Sequence, residues 1–128
     1  SAIEDNPWIV VAAEFELTPR PEAEVWAKMK ELIGKRSASQ PLDLPSAGSA
    51  FKRPQGHFAG KLIEDCGLKG FTVGGAQISE KHAGFVINRG GATSADVREL
   101  MKRVTEKVYE NFGVTLCPEI EIIEENPE

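Results

Sequence analysis

The sequence predicts an α+β fold, a small and mostly antiparallel sheet with helices packed on one face. Three observations carry this. Residues 94–111 repeat apolar side chains at helical spacing between a capping signal and a glycine. "WIVVAAEFEL" at Trp8–Leu17 and "EIEII" at 119–123 are rich in β-formers or alternate as strands do. Between them, glycine and proline punctuate the chain too often for long regular elements. With 128 residues, no internal repeat and no composition break, the chain reads as one domain over 1–128.

In chain order, the first expected strand is Trp8–Leu17, broken by Thr18-Pro19-Arg20-Pro21. Pro21 suits a helix's first turn, and Glu22 and Glu24 suit the positive end of its dipole. Val25, Met29, Leu32 and Ile33 then recur at helical spacing, and Gly34 is the expected stop. Residues 35–57 hold no sustained period, and Pro41, Pro45 and Pro54 keep them extended or turning; so long a loop is uncommon and often functional. A short helix over Phe58–Cys66 is closed by Gly67. Gly70–Ile87 reads as loops and short strands, with "GFVIN" at 84–88 the best strand.

Thr93 and Asp96 form a capping box for the 94–111 helix, with Asp in place of the usual Glu or Gln. Val97, Leu100, Met101, Val104, Val108 and Phe112 mark its buried face, and Gly113 stops it. The strand at 119–123 follows, and the acidic residues 124–128 form a frayed tail.

Composition excludes some functions. Apolar residues at 41% and charged ones at 27% describe an ordinary soluble globular chain. A net charge of −5 argues against nucleic-acid binding, which rests on neutralising phosphates, but leaves room for a local basic pocket for one small anion. Cys66 and Cys117 have no CxxC spacing and no histidine at zinc spacing, so they read as two buried thiols of a cytoplasmic protein, with no metal. No run reaches the ~18–20 apolar residues of a membrane span, and no signal peptide precedes the first strand.

The middle of the chain, "SAGSAFKRPQGHFAGKLIEDCGLKG" (46–70), concentrates hydroxyl, basic and glycine residues. Gly56…Gly60-Lys61 is no Walker loop: it has three residues between the glycines where that motif needs four, and Leu62 where it needs Ser or Thr. "GLKG" (67–70) has the form of a nucleic-acid-clamping loop, but a helix stop at Gly67 and a turn at Gly70 explain it. His57 and His82 have no partners at ligand spacing, and nothing in the sequence places a Ser-His-Asp set together. Lys52, Arg53, Lys61, Lys69 and Lys81 fit either a pocket for a polyanionic small molecule or a solvated basic face.

Four blocks in order, "PSAGSAFKRP", "AGKLIEDCGLKG", "VGGAQISEKHAGFVIN" and "FGVTLCPEIEII", give the chain a resemblance to the C-terminal domain of the UDP-N-acetylenolpyruvoylglucosamine reductase (MurB) family. The resemblance runs from about Ile9 to Ile123 and is to the shorter variety of the family. It implies a substrate-binding domain whose N-terminal FAD-binding domain, in the same parent chain, is absent here. The parent enzyme would use FAD and NADPH to reduce the enolpyruvyl ether of UDP-N-acetylglucosamine to UDP-N-acetylmuramate for peptidoglycan. This fragment would be inactive alone and bind no cofactor by itself.

Residue by residue, the resemblance implies that Ser49 is the proton donor and Glu119 the second catalytic group. It implies substrate contacts from Lys52, Arg53, Lys81 and His82, and cofactor contacts from Arg36, in the loop before Gln40-Pro41, and Gly48. Expected partners are the nucleotide sugar and the flavin domain, with no nucleic acid and no membrane. Two rival readings remain, a non-catalytic UDP-sugar-binding module and an interaction domain.

Overall fold

The structure is a computed structural model that describes residues 9–123. The chain divides into two compact units, Ser1–Leu32 and Ile33–Glu128.

In the first unit, residues 9–21 form no regular structure, so the strand expected over Trp8–Leu17 is not formed in its described part; Trp8 lies outside the described residues. A strand needs a hydrogen-bonded neighbour, and residues 9–17 pair with none among the described residues. Ile9, Val11 and Phe15 are accordingly 86%, 93% and 78% exposed. Helix α1, Glu22–Ser39, starts where Pro21 predicts, with the Pro21 carbonyl accepting from the amides of Glu24 (3.0 Å) and Val25 (3.2 Å). It does not stop at Gly34. That glycine keeps a negative φ, and Lys35 to Ser39 continue the helix. The Val25, Met29, Leu32, Ile33 stripe is there, but no residue of α1 is buried.

The second unit holds the sheet. Strands β1 (Ser46–Ser49), β2 (Thr72–Val73), β3 (Ala76–Ile78) and β4 (Phe85–Asn88) lie in the order β1-β4-β3-β2, each pair antiparallel. Helices α2 (Ala59–Asp65) and α3 (Ser94–Phe112) complete it. The result is the α+β arrangement expected, though β1 falls inside the stretch read as loop.

The α3 boundaries match the sequence signals. Thr93 Oγ1 accepts from the Asp96 amide at 3.1 Å, and the Asp96 carboxylate accepts from the Thr93 amide at 2.9 Å, so the capping box closes with Asp. The same carboxylate accepts a 3.5 Å bond from the Gly75 amide, tying the helix start to the β2–β3 turn. At the other end Gly113, with φ +68°, donates to the Tyr109 carbonyl at 2.8 Å. Leu100, Met101, Val104 and Val108 are buried against Ile63, Ile78, Val86 and Leu116. Val97 is half-buried and Phe112 exposed, so the buried stripe is narrower than its apolar pattern.

Residues 119–123 form no strand. An isolated antiparallel bridge joins Phe51 and Pro118, flanked by Lys52 N–H to Cys117 carbonyl (2.8 Å) and Glu119 N–H to Ala50 carbonyl (2.9 Å). Pro118 has no N–H, and in this register none is needed. Beyond it the chain leaves the sheet, and Ile123 is 88% exposed.

The cysteines are not both buried. Cys66 is half-buried and its sulfur accepts from Asn111 Nδ2 at 3.3 Å, while Cys117 is exposed on the bridge segment. Gly67 and Gly70 of "GLKG" take φ +70° and +77°, the stop and the turn expected. Among the described residues no helix is long and apolar enough to cross a membrane, and no cluster of metal-ligating side chains occurs. The expected tail, 124–128, lies outside the described residues.

Candidate functional site

The site is organised by a break in the β1–β4 ladder. Ser46 pairs with Ile87 but Ser49 with Phe85, so one extra residue sits in β1 between them. Gly48 absorbs it with φ +88°, a conformation that side chains other than hydrogen rarely adopt. Ser46 Oγ accepts the Gly48 amide at 3.1 Å and fixes the bulge. Such bulges re-aim the next side chain, which here is Ser49. The Ala50 amide then donates to the Gly84 carbonyl at 2.8 Å and restores the pairing.

Ser49 lines a cleft of about 350 Å³ together with Arg53, Phe58, Lys61, Glu64, Lys69, Lys81 and His82. Residues from β1, from α2 and from the turn before β4 thus converge on one basic cavity. The guanidinium carbon of Arg53 lies over the Phe58 ring, 4.0 Å from its centre, and its Nε donates to the His57 carbonyl at 3.3 Å. Stacking of this kind holds a guanidinium in place without neutralising it. Lys61 pairs with Asp65 and Lys69 with Glu64, each at 2.6 Å. The Asp65 bond holds the Lys61 ammonium above its ordinary pKa, and the Lys69 bond holds the Glu64 carboxyl below the usual range.

The turn at 79–82 presents Lys81 and His82. Ser79 is buried, and its Oγ accepts from the amides of Lys81 (3.1 Å) and His82 (3.2 Å). His82 Nδ1 accepts from the Gly84 amide at 3.1 Å, and its ring meets Phe85 edge-on at 4.8 Å.

Four of the expected site residues, Ser49, Arg53, Lys81 and His82, therefore share the cleft. The others do not line it. Lys52 lies with Arg53, His57 and Cys117 on a neighbouring depression. Gly48 opens on a second cleft of about 400 Å³ with Ser46, Val86, Thr93 and Ile120. Glu119 lines neither of these clefts, although its backbone pairs with Ala50. Arg36 stands in the last turn of α1 and not in a loop, with Nε donating to Gln40 Oε1 at 3.0 Å. Phe58, Glu64 and Ser79 were missed by the sequence reading. An aromatic close after Arg53 was the one available signal, because a buried serine in a turn looks like any other serine.

Chemically, the cleft offers cations for a polyanion, a hydroxyl, and an imidazole with one nitrogen already bonded. Comparison with known proteins gives the chain a family. Residues 40–123 match the model of UDP-N-acetylenolpyruvoylglucosamine reductase, C-terminal domain. The chain is 54% identical over 125 residues to the UDP-N-acetylenolpyruvoylglucosamine reductase of Agathobacter rectalis, covering 98% of this chain and 40% of that one. It is 52% identical over 125 residues to that of Caldanaerobacter subterraneus subsp. tengcongensis, covering 98% and 41%. The crystal structure of UDP-N-acetylenolpyruvylglucosamine reductase from Thermus caldophilus superposes with a TM-score of 0.65 at 40% identity, over 83% of this chain and 37% of that one. The chain thus spans about two fifths of the length of the curated relatives it matches. It belongs to the UDP-N-acetylenolpyruvoylglucosamine reductase family, in which it matches the C-terminal domain.

Proposed function

We propose that this chain is the substrate-binding domain of a reductase that converts the enolpyruvyl ether of UDP-N-acetylglucosamine to the lactyl ether, UDP-N-acetylmuramate, in the cytoplasm. The observation that carries the reading is the convergence of Ser49, Arg53, Lys81 and His82 on one basic cleft, in a chain 54% identical to a reductase of that name. Arg53 and Lys81, with Lys52 beside them, grip the diphosphate, and His82 contacts the sugar nucleotide. Their charge is local, which explains how a chain of net charge −5 selects an anion.

Ser49 delivers a proton from Oγ to C2 of the enolate. A serine hydroxyl is a weak acid, but the acceptor is a strong base, and placement then matters more than matched pKa. The serine regains its proton from solvent, to which it is exposed. Glu119, on the segment paired to Ala50, acts by hydrogen bonding as the enolate forms and is quenched.

FAD and NADPH belong to the rest of the parent enzyme, where bound flavin supplies the hydride for C3. Gly48 suits the near face of such a ring: nothing lies within 4 Å of where its Cβ would stand. Arg36 is exposed nearby in sequence for a contact to the flavin or the diphosphate. The apolar stripe of α1 is a surface for the flavin-binding part to cover.

The test is reconstitution. Titration calorimetry measures UDP-N-acetylglucosamine enolpyruvate binding to this chain, which alone turns nothing over. Product is then followed after adding the flavin-binding part of the enzyme and NADPH. Binding with product from the wild type, and none from Ser49→Ala, supports the assignment. A folded chain that neither binds nor completes the enzyme sinks it.

A further inference from the structure

Gly84 touches both halves of the cleft. Its amide donates to His82 Nδ1 at 3.1 Å, and its carbonyl accepts from the amide of Ala50, the residue after Ser49, at 2.8 Å. It packs against Gly60 of α2, and the His82 ring fills the space beside the two glycines. A Cβ on Gly84 would stand 3.0 Å from His82 Cε1 and 3.2 Å from Nδ1. A Cβ on Gly60 would stand 3.2 Å from the Gly84 nitrogen and 3.5 Å from His82 Cε1. Neither glycine has a positive φ, so the demand is one of space: the His82 ring crowds Gly84, and the Gly84 backbone nitrogen crowds Gly60. From the other side, buried Ser79 gathers the Lys81 and His82 amides and sets where the imidazole starts.

These contacts decide more than position. A neutral imidazole has one N–H and one bare nitrogen. With Nδ1 accepting from Gly84, the proton must sit on Nε2. We infer that Gly84 and Ser79 are positioning residues that lock His82 as its Nε2–H tautomer, making it a one-way hydrogen-bond donor to the ligand in the cleft. That suits an oxygen-rich ligand that presents acceptors, and it denies the ring the role of general base through Nε2. The inference rests on the proposed function for the ligand's identity but not for the tautomer.

The first experiment needs no substrate. Long-range proton–nitrogen NMR on the labelled chain, well above the ordinary imidazole pKa of about 6.5, reports which His82 nitrogen is protonated. The Nε2–H pattern is expected; an Nδ1–H pattern, or a mixture, in the wild type overturns the inference. Gly84→Ala should convert it to a mixture and weaken binding of UDP-N-acetylglucosamine enolpyruvate about tenfold, the loss of one good hydrogen bond. In a His82→Ala background the same substitution should cost no further affinity, because its effect passes through the ring. Equal losses in both backgrounds would mean that Gly84 serves the fold alone, and would also overturn the inference. An Nε2–H wild type that fails to bind the nucleotide sugar would sink the proposed function and leave the tautomer lock standing.

Discussion

The amide of Glu119 donates to the carbonyl of Ala50 at 2.9 Å, so the C-terminal segment is stitched beside the residue that follows Ser49. Two backbone segments far apart in sequence become neighbours through this pairing. In the reconstituted enzyme, Ser49→Ala is expected to lower kcat by about 10²–10⁴, the usual worth of a placed proton donor, with KM little changed. Glu119→Gln, which keeps the shape and loses the charge, should lower kcat less. Single-turnover reduction and quenching of substrate would separate the two.

Arg53 depends on Phe58 for its posture. Phe58 is 62% exposed, so Phe58→Ala should barely move the melting temperature. It should nonetheless weaken nucleotide-sugar binding several-fold, in line with ~0.5–1 kcal/mol for an exposed cation–π contact. Arg53→Lys should not restore the affinity, because an ammonium cannot stack as a flat guanidinium does. Calorimetric titration beside thermal melts reads both.

The core gives the opposite pattern. Leu100 is fully buried under the sheet, and Leu100→Ala should destabilise the fold by about 2–5 kcal/mol. Gly75→Ala should be as damaging for another reason: its Cβ would fall on backbone atoms of Gly90 and Ala92, which no side-chain motion can relieve. Urea denaturation of each variant is the check.

Asp96 makes stability depend on pH. Its carboxyl is held below the ordinary value chiefly by the Thr93 amide, with help from Gly75. A carboxyl with a depressed folded pKa stabilises above its unfolded pKa of about 3.9, and that contribution disappears as pH falls through the folded value. Glu64 beside Lys69 and Glu99 beside Arg103 act in the same direction. Melting temperatures should therefore hold level down to roughly pH 5 and fall below about pH 4. Asp96→Asn should melt lower than wild type at neutral pH, with the gap narrowing in acid.

Legibility in the sequence followed the source of each element's stability. Helix α3 carries its own instructions, an apolar stripe, a capping box and a left-handed glycine, and all were readable. Strand β1 was not, because "SAGS" has no β-former and exists through its pairing with β4. Residues 9–17 and 119–123 show the converse, a strand pattern without a strand, since alternation states a preference and pairing requires a neighbour. Gly34 misled because glycine in a helix costs only about 1 kcal/mol against alanine, too little to end one with good formers beyond it. The cleft's cations were visible as a scatter of basic residues, but their convergence was not, since it rests on the β1 bulge and the turn that buried Ser79 organises. Family resemblance supplied Ser49, Arg53, Lys81 and His82; it could not show that Arg53 borders both the cleft and the neighbouring depression while Lys52, adjacent in sequence, lines only the latter.

The bare stretch from Ile9 to Leu17 also sets how this chain behaves in a tube. Among the described residues its amides and carbonyls have no ladder, and its β-forming side chains are exposed. Such a segment is a template for strand addition between molecules, restrained mainly by the charges of Glu14 and Glu16 and by Pro19. Concentrated stocks should therefore scatter more light with time, and a chain begun at Gln40 should stay clear under the same conditions.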